Sequence, residues 1–142
     1  MLVDNLKTNL ADLYALYIKA QNYHWNVEGP DFAQYHKFLG DLYESIGDEI
    51  DVVAELIRTM DEYAPGSFSR FSELTSIEDE RSIRKSLEMF TILNMDNEKV
   101  LTNLRSTYEV AEQDKQYGIS NQIQDIITAH EKHAWMLRSF LK

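Results

Sequence analysis

Apolar side chains recur every three or four positions along four long stretches, the spacing typical of helices that bury one face. The first stretch covers about residues 4–27, with Asp4 as the expected N-cap, and the second covers about residues 31–60. The third places apolar residues from Ile83 to Ala111, and the last places them from Ile119 to Leu141. The pattern therefore predicts an all-α protein with four long helices.

The strongest chain breakers separate these stretches: Gly29-Pro30, Pro65-Gly66 and Gly118. Residues 61–80 are rich in turn formers, but they contain Phe71, Leu74 and Ile77, which are expected to anchor a short helix. Two helices, a long connection and two further helices form the layout of ferritin-like bundles. We predict a ferritin-like four-helix bundle, with a long crossover containing a short helix between helices two and three, as a single domain over residues 1–142.

Composition narrows the choice of function. The chain has no cysteine, which excludes disulfides, thiolate chemistry and iron–sulfur clusters, and its net charge of −10 disfavours bulk electrostatic binding of nucleic acid. No stretch approaches the roughly 20 apolar residues of a membrane helix, and the first residues do not resemble a signal peptide. We therefore expect a cytoplasmic protein without membrane or direct DNA contact.

Two histidines and two carboxylates are candidate metal ligands. His24 and His36 bracket the Gly29-Pro30 break symmetrically, so an antiparallel hairpin would place both imidazoles at the same height. Asp51 and Glu55 lie four residues apart on one helix face. However, the fifteen residues between His36 and Asp51 correspond to about 22 Å of helix, so one chain cannot join all four ligands.

A dimer would close this distance. If two copies of the second helix pack antiparallel about a dyad near Glu44-Ser45, His36 of one chain faces Asp51 and Glu55 of the other. Gly40, Ser45 and Gly47 would then allow the two helices to approach closely. From spacing alone, the same residues also suit a solvated helix face, and the bundle suits a structural or partner-binding module.

Longer motifs favour the metal site. The segment from Asn22 to His36, containing Asn-Tyr-His-Trp-Asn-Val-Glu-Gly, resembles the Dps miniferritins (DNA-protection-during-starvation proteins), as do Asp48–Glu55 and the Glu-Lys-His-Ala-Trp-Met segment at 131–136. The resemblance extends over nearly the whole chain. It implies a dodecameric shell whose ferroxidase centres lie at two-fold interfaces.

The same resemblance implies a ligand set and a reaction. His24 and His36 would be imidazole ligands, and Asp51 and Glu55 would be carboxylate ligands from the partner subunit, with Glu55 bridging. Iron would be oxidised from Fe(II) to Fe(III), with hydrogen peroxide preferred to dioxygen, and stored as mineral inside the shell. Trp25 and Trp135 match tryptophans near the family's centre, where they intercept oxidising equivalents or serve in packing.

One departure from the family concerns Gly40, where the family commonly has an aspartate that completes the weaker iron site. Asp41 is an alternative ligand, although it lies about 100° further round the helix. The departure raises a second hypothesis, a storage or scavenging cage with weak ferroxidase activity, in which zinc could take the place of iron. The third hypothesis is a DNA-compacting protein, which the acidic chain and its lack of a basic tail disfavour.

Other polar residues have less specific roles. A Glu-x-x-His motif, as found in larger ferritins, is missing, so His130 and His133 are expected to be packing or interface residues. Glu112, Asp114 and Asp125 either line an iron-admitting pore or are solvated acids at helix ends.

Overall fold

The computed structural model describes all 142 residues and contains five helices and no strand. The helices are α1 (Leu2–Asn26), α2 (Phe32–Thr59), α3 (Phe68–Leu74), α4 (Ser86–Gln113) and α5 (Tyr117–Phe140). Helices α1 and α2 form one hairpin, α4 and α5 form the other, and α1 packs on α4 while α2 packs on α5. Short helix α3 lies in the crossover against α1. This all-α, ferritin-like bundle confirms the predicted fold class.

The helix ends differ from the predictions in three places. Met1, not Asp4, is the N-cap of α1, and Asp4 lies in the first turn. Gly118 lies inside α5, because the preceding chain reversal uses Lys115 in the left-handed region with a φ of 56°. Ile83 precedes α4 and is 78% exposed, so it does not belong to the apolar stripe.

The core follows the apolar stripes. On α1, Leu6, Leu10, Leu13 and Leu16 are at most 1% exposed, as expected for positions spaced three and four apart on one helix face. No helix of the chain has an apolar stretch long and uncharged enough to cross a bilayer.

A buried carboxylate ties the crossover to the bundle. Asp12 on α1 is fully buried, and its Oδ1 accepts hydrogen bonds from the Thr75 hydroxyl (2.8 Å) and the Ser76 backbone N–H (2.7 Å). Its Oδ2 accepts a hydrogen bond from Asn103 on α4 at 2.8 Å. Asp12 therefore holds α1, the end of the crossover helix and α4 together.

A second polar cluster attaches the end of the crossover that precedes α4 to helix α1. Glu80 accepts hydrogen bonds from the Tyr23 hydroxyl at 2.5 Å and from Arg84 Nε at 2.9 Å. Burial alone would raise the pKa of Glu80, but hydrogen bonds from Arg84, Tyr23 and the Ser82 backbone outweigh it and lower this pKa to about 2. Burial, followed by the hydrogen bond to Glu80, raises the pKa of Tyr23 well above its ordinary value.

Candidate metal centre

The α1–α2 turn brings the two predicted histidine ligands together. His24 lies in the last turn of α1, and His36 lies near the start of α2. Their rings are stacked with centroids 3.8 Å apart and planes inclined by 15°. The predicted pairing of the two imidazoles across the hairpin is therefore present within a single chain.

Hydrogen bonding fixes which nitrogen of each ring is free. His24 Nδ1 donates to the His36 backbone carbonyl at 2.6 Å, and His36 Nδ1 donates to the His24 carbonyl at 2.7 Å. Because a carbonyl oxygen can only accept, both Nδ1 atoms carry hydrogen. Each neutral ring then keeps a lone pair on Nε2, which is the form and orientation that a metal requires.

Gly40 makes room for this arrangement. A Cβ atom at Gly40 would lie 2.9 Å from Cε1 of His24 and 3.1 Å from its Nδ1, closer than side chains normally approach. A Cβ at Gly47 would lie 3.1 Å from a ring carbon of Tyr17, also on α1. The two glycines therefore allow close packing of α2 on α1 inside the subunit, and their expected role between two copies of α2 stays a prediction.

Aromatic side chains surround the histidine pair. Phe32 stacks on His36 at 4.9 Å, and Tyr43 meets His24 edge-on at 5.3 Å. Trp25 and Trp135 are 65% and 57% exposed on the single chain, so neither packs in its core. Their predicted roles, interception of oxidising equivalents or packing, stay predictions.

The predicted carboxylate ligands do not join the histidines within one chain. Asp51 and Glu55 are exposed on α2 and belong to no intrachain cluster of metal-ligating side chains. Asp41 is exposed and forms an ion pair with Lys37 at 2.9 Å, four residues earlier on the helix. These positions agree with the expectation that the four ligands cannot meet inside one subunit.

A different cluster, which the spacing argument missed, lies inside the bundle. It consists of Glu49 on α2 with His130 and His133 on α5, and its ligand atoms all lie within 4.8 Å of one another. All three residues are at most 9% exposed, so an interface role for the two histidines is wrong. The i, i+3 spacing of the histidines was the sequence signal, but their acidic partner comes from another helix.

Asn97 on α4 orients His130. The Asn97 amide nitrogen donates to the His130 backbone carbonyl at 2.9 Å, so its Oδ1 is the end that accepts from His130 Nδ1 at 2.7 Å. The other ring nitrogen, Nε2, lies 2.6 Å from Oε2 of Glu49. With Nδ1 already protonated, Nε2 and the carboxylate form a close contact only if a proton or another cation lies between them.

Two atoms of this cluster have no hydrogen-bond partner. They are Oε1 of Glu49 and Nε2 of His133, both buried. An unsatisfied buried polar group typically costs about 1–3 kcal/mol, so such a pair needs an explanation. Burial, together with the charges of His130 and Lys132, lowers the pKa of His133 to about 3 and keeps its ring neutral.

Comparison with known proteins decides the family. A model of the ferritin-like domain matches residues 3–142. DNA protection during starvation protein 2 from Bacillus anthracis is 31% identical over 139 residues, which cover 98% of this chain and 95% of that protein. The chain belongs to the Dps family of ferritin-like proteins.

Solved structures agree with this placement in the Dps family. The structure of antigen TpF1 from Treponema pallidum superposes with a TM-score of 0.96 at 30% identity, covering 99% of this chain and 91% of that chain. A Dps protein from Vibrio cholerae gives a TM-score of 0.96 at 28% identity, covering 99% and 89%, and is described as a ferritin-like diiron-carboxylate protein. Membership in the Dps family implies iron binding and a function of the iron-storage and ferroxidase type.

Proposed function

We propose that this Dps-family protein is a ferroxidase and iron-storage cage that protects against oxidative stress. It oxidises Fe(II), with hydrogen peroxide in preference to dioxygen, and deposits the ferric product as mineral inside a shell. The observation that carries the proposal is the stacked pair of His24 and His36, whose Nδ1 atoms are both hydrogen-bonded to backbone, leaving both Nε2 atoms for iron.

The remaining ligands come from a second copy of the chain. Asp51 and Glu55 are exposed on α2, with Asp51 about 22 Å and Glu55 about 28 Å of helix rise away from His36, so only a partner subunit can bring them to the histidines. A two-fold axis between antiparallel α2 helices creates two equivalent centres per dimer. The dimer is the smallest assembly that this chemistry needs, and the proposed dodecamer repeats it six times.

The reaction balances with two irons for each peroxide. Two Fe(II) ions supply two electrons, the O–O bond breaks, and two protons complete two molecules of water, leaving two Fe(III). Carboxylates favour the more highly charged Fe(III), while the neutral imidazoles suit Fe(II) as well. Consuming ferrous iron and peroxide together removes both reactants that form hydroxyl radical.

The second iron of each centre is held less tightly than the first. The position that supplies an aspartate in many relatives is Gly40, and its space is filled by the His24 ring. Asp41 is engaged with Lys37 on the exposed face of α2. We therefore propose one tight site, bound by His24, His36, Asp51 and Glu55, and one transient site that shares Glu55.

Anaerobic titration with Fe(II), followed by addition of hydrogen peroxide, tests the function. We expect oxidation of about two irons per centre, far faster than in protein-free buffer. Asp51→Ala/Glu55→Ala should abolish the fast phase while the shell, measured by sedimentation, remains assembled. The double variant Glu98→Ala/Glu109→Ala removes two exposed carboxylates from α4 and is the charge-matched control.

Four outcomes would contradict the proposal. Oxidation no faster than in buffer would leave a storage or scavenging cage, and a preference for zinc over iron in competition would point the same way. Full activity in Asp51→Ala/Glu55→Ala would disprove the ligand assignment. A gel-shift titration in which the protein retains DNA at physiological salt would support DNA compaction, which its net charge of −10 opposes.

A further inference from the structure

We propose that Glu49, His130 and His133 form a second metal site, buried within each subunit, that binds a divalent transition-metal ion such as Zn²⁺ or Fe²⁺. The site is separate from the proposed ferroxidase centre at the two-fold axis, which is called the dyad centre below. It needs no residue from a partner. Its three ligands come from α2 and α5, which face each other across the bundle.

The positions of the donor atoms support a single ion. One ligand atom from each residue lies within 4.8 Å of the other two. Tetrahedral coordination at bond lengths of about 2.0–2.1 Å places ligand atoms roughly 3.3 Å apart, so the cluster needs only small side-chain movements. Chief among them is separation of Glu49 Oε2 from His130 Nε2, now 2.6 Å apart.

The unpartnered atoms point to the same ligand. Glu49 Oε1 and His133 Nε2 are buried without hydrogen bonds, although both residues are more than nine-tenths buried. Buried polar atoms without a partner are rare in folded proteins. A cation would satisfy both atoms together with the contact between Glu49 and His130. The ion would replace the proton that the contact otherwise requires.

An outer hydrogen bond already prepares one ligand. Asn97 accepts from His130 Nδ1 at 2.7 Å and thereby presents Nε2 to the site, as hydrogen-bond acceptors beside metal-bound histidines commonly do. Two imidazoles and a carboxylate suit zinc or ferrous iron better than calcium or magnesium, which prefer oxygen ligands. Three protein ligands leave a further coordination position for water, as in catalytic rather than purely structural sites.

Metal counting in a variant without the dyad centre tests the site. Metal-free Asp51→Asn/Glu55→Gln is titrated anaerobically with Co²⁺, a visible probe for zinc sites, and with Zn²⁺ by calorimetry. We expect one tightly bound ion per chain, with the intense visible bands of low-coordinate Co²⁺. Adding Glu49→Gln or His133→Leu should weaken this binding at least about 10-fold, and Asn97→Ala should weaken it by about 10–100-fold.

Two variants keep the test decisive. Glu49→Gln preserves side-chain shape and allows its amide to donate to His130, so it is expected to fold even if His133→Leu does not. Glu131→Gln removes an exposed carboxylate from the same turn of α5 and should leave binding unchanged.

Absence of the tight ion from Asp51→Asn/Glu55→Gln, or equal binding after Glu49→Gln, would overturn the second site without affecting the proposed ferroxidase. Conversely, absence of iron oxidation in a protein that still binds the buried ion would contradict only the proposed dyad centre. Anomalous diffraction from zinc-soaked crystals should place the ion about 2.0–2.2 Å from the three ligand atoms.

Discussion

At the scale of single residues, the histidine pair depends on the absence of a side chain at Gly40. Gly40→Ala would place Cβ 2.9 Å from the His24 ring, so the imidazole must move or the helices must separate. We expect destabilisation by about 1–3 kcal/mol, as for other overpacked sites, together with slower oxidation of Fe(II). Urea unfolding and stopped-flow oxidation on the same preparation measure the two effects.

Gly118→Ala is the matched control for this change. It adds the same methyl group to a helical glycine, but no atom other than those of the adjoining helix backbone and chain neighbours lies within 4 Å of the new Cβ. Its stability should stay the same or rise slightly, because alanine favours helix more than glycine does. Wild-type stability and oxidation in Gly40→Ala would show that the His24 ring is not held as tightly as the contact distance indicates.

At the scale of elements, the crossover is joined to two helices through Asp12. Asp12→Ala would remove the acceptor of four donors, leaving the Ser76 N–H without a hydrogen-bond partner and the Asn103 amide with only the Ser76 hydroxyl. Since hydrogen bonds to a buried charge contribute about 1.5–3 kcal/mol, we expect a loss of about 3 kcal/mol or more in the free energy of unfolding. Hydrogen exchange should show the largest loss of protection at residues 75–77.

The control for Asp12→Ala is Asp4→Ala, an exposed acid on the same helix whose only ion pair is a 3.9 Å contact with the N-terminal amine. It should change stability by no more than about 0.5 kcal/mol. If the two variants unfold at the same urea concentration, the crossover is not held by Asp12.

The other crossover attachment predicts a pH dependence. The folded pKa of Glu80 is about 2, below the ordinary value of 4.5, so its ionised form stabilises the fold above pH 4.5. This contribution is lost as the pH falls from about 4.5 towards 2, because the carboxylate must then take up a proton. Glu80→Gln should therefore be less stable than wild type near pH 7, and the difference should shrink in acid.

Urea unfolding at several pH values measures that difference, with exposed Glu98→Gln as the control. A gap between wild type and Glu80→Gln that stays constant from about pH 6 to about pH 3 would contradict the assignment. The control should follow the wild-type curve throughout, since Glu98 is exposed and its side chain makes no hydrogen bond or ion pair in the fold.

The sequence predicts those features that depend on nearby residues. Helical periodicity places the four long helices within a few residues, and the symmetric spacing about Gly29-Pro30 predicts the contact of His24 with His36. The Glu49 cluster could not be predicted in this way, because Glu49 and His130 are 81 residues apart and meet only after α2 packs on α5. The reason for Gly40 likewise appears only when the His24 ring is seen filling the space beside it.

At the scale of the whole molecule, the net charge of −10 per chain should assist delivery of iron. An acidic surface attracts Fe(II) and raises its local concentration. Added salt screens this attraction, because the Debye length falls from about 30 Å at 0.01 M to about 10 Å at 0.1 M. We expect the rate to fall several-fold over this range when Fe(II) is added to protein already mixed with peroxide.

Reversing the order of addition isolates the cause. If Fe(II) is bound first under anaerobic conditions and neutral hydrogen peroxide then starts the reaction, the iron has already arrived and salt should have little effect. Equal slowing in both orders would mean that salt acts on the centre itself.

The pair of variants Asp114→Asn/Asp125→Asn and the charge-matched Glu98→Gln/Glu109→Gln then distinguishes a local entry path for Fe(II) from the electrostatic field of the whole surface. A larger loss of rate in the first pair supports a pore lined by Asp114 and Asp125, whereas equal losses assign the effect to the acidic surface as a whole.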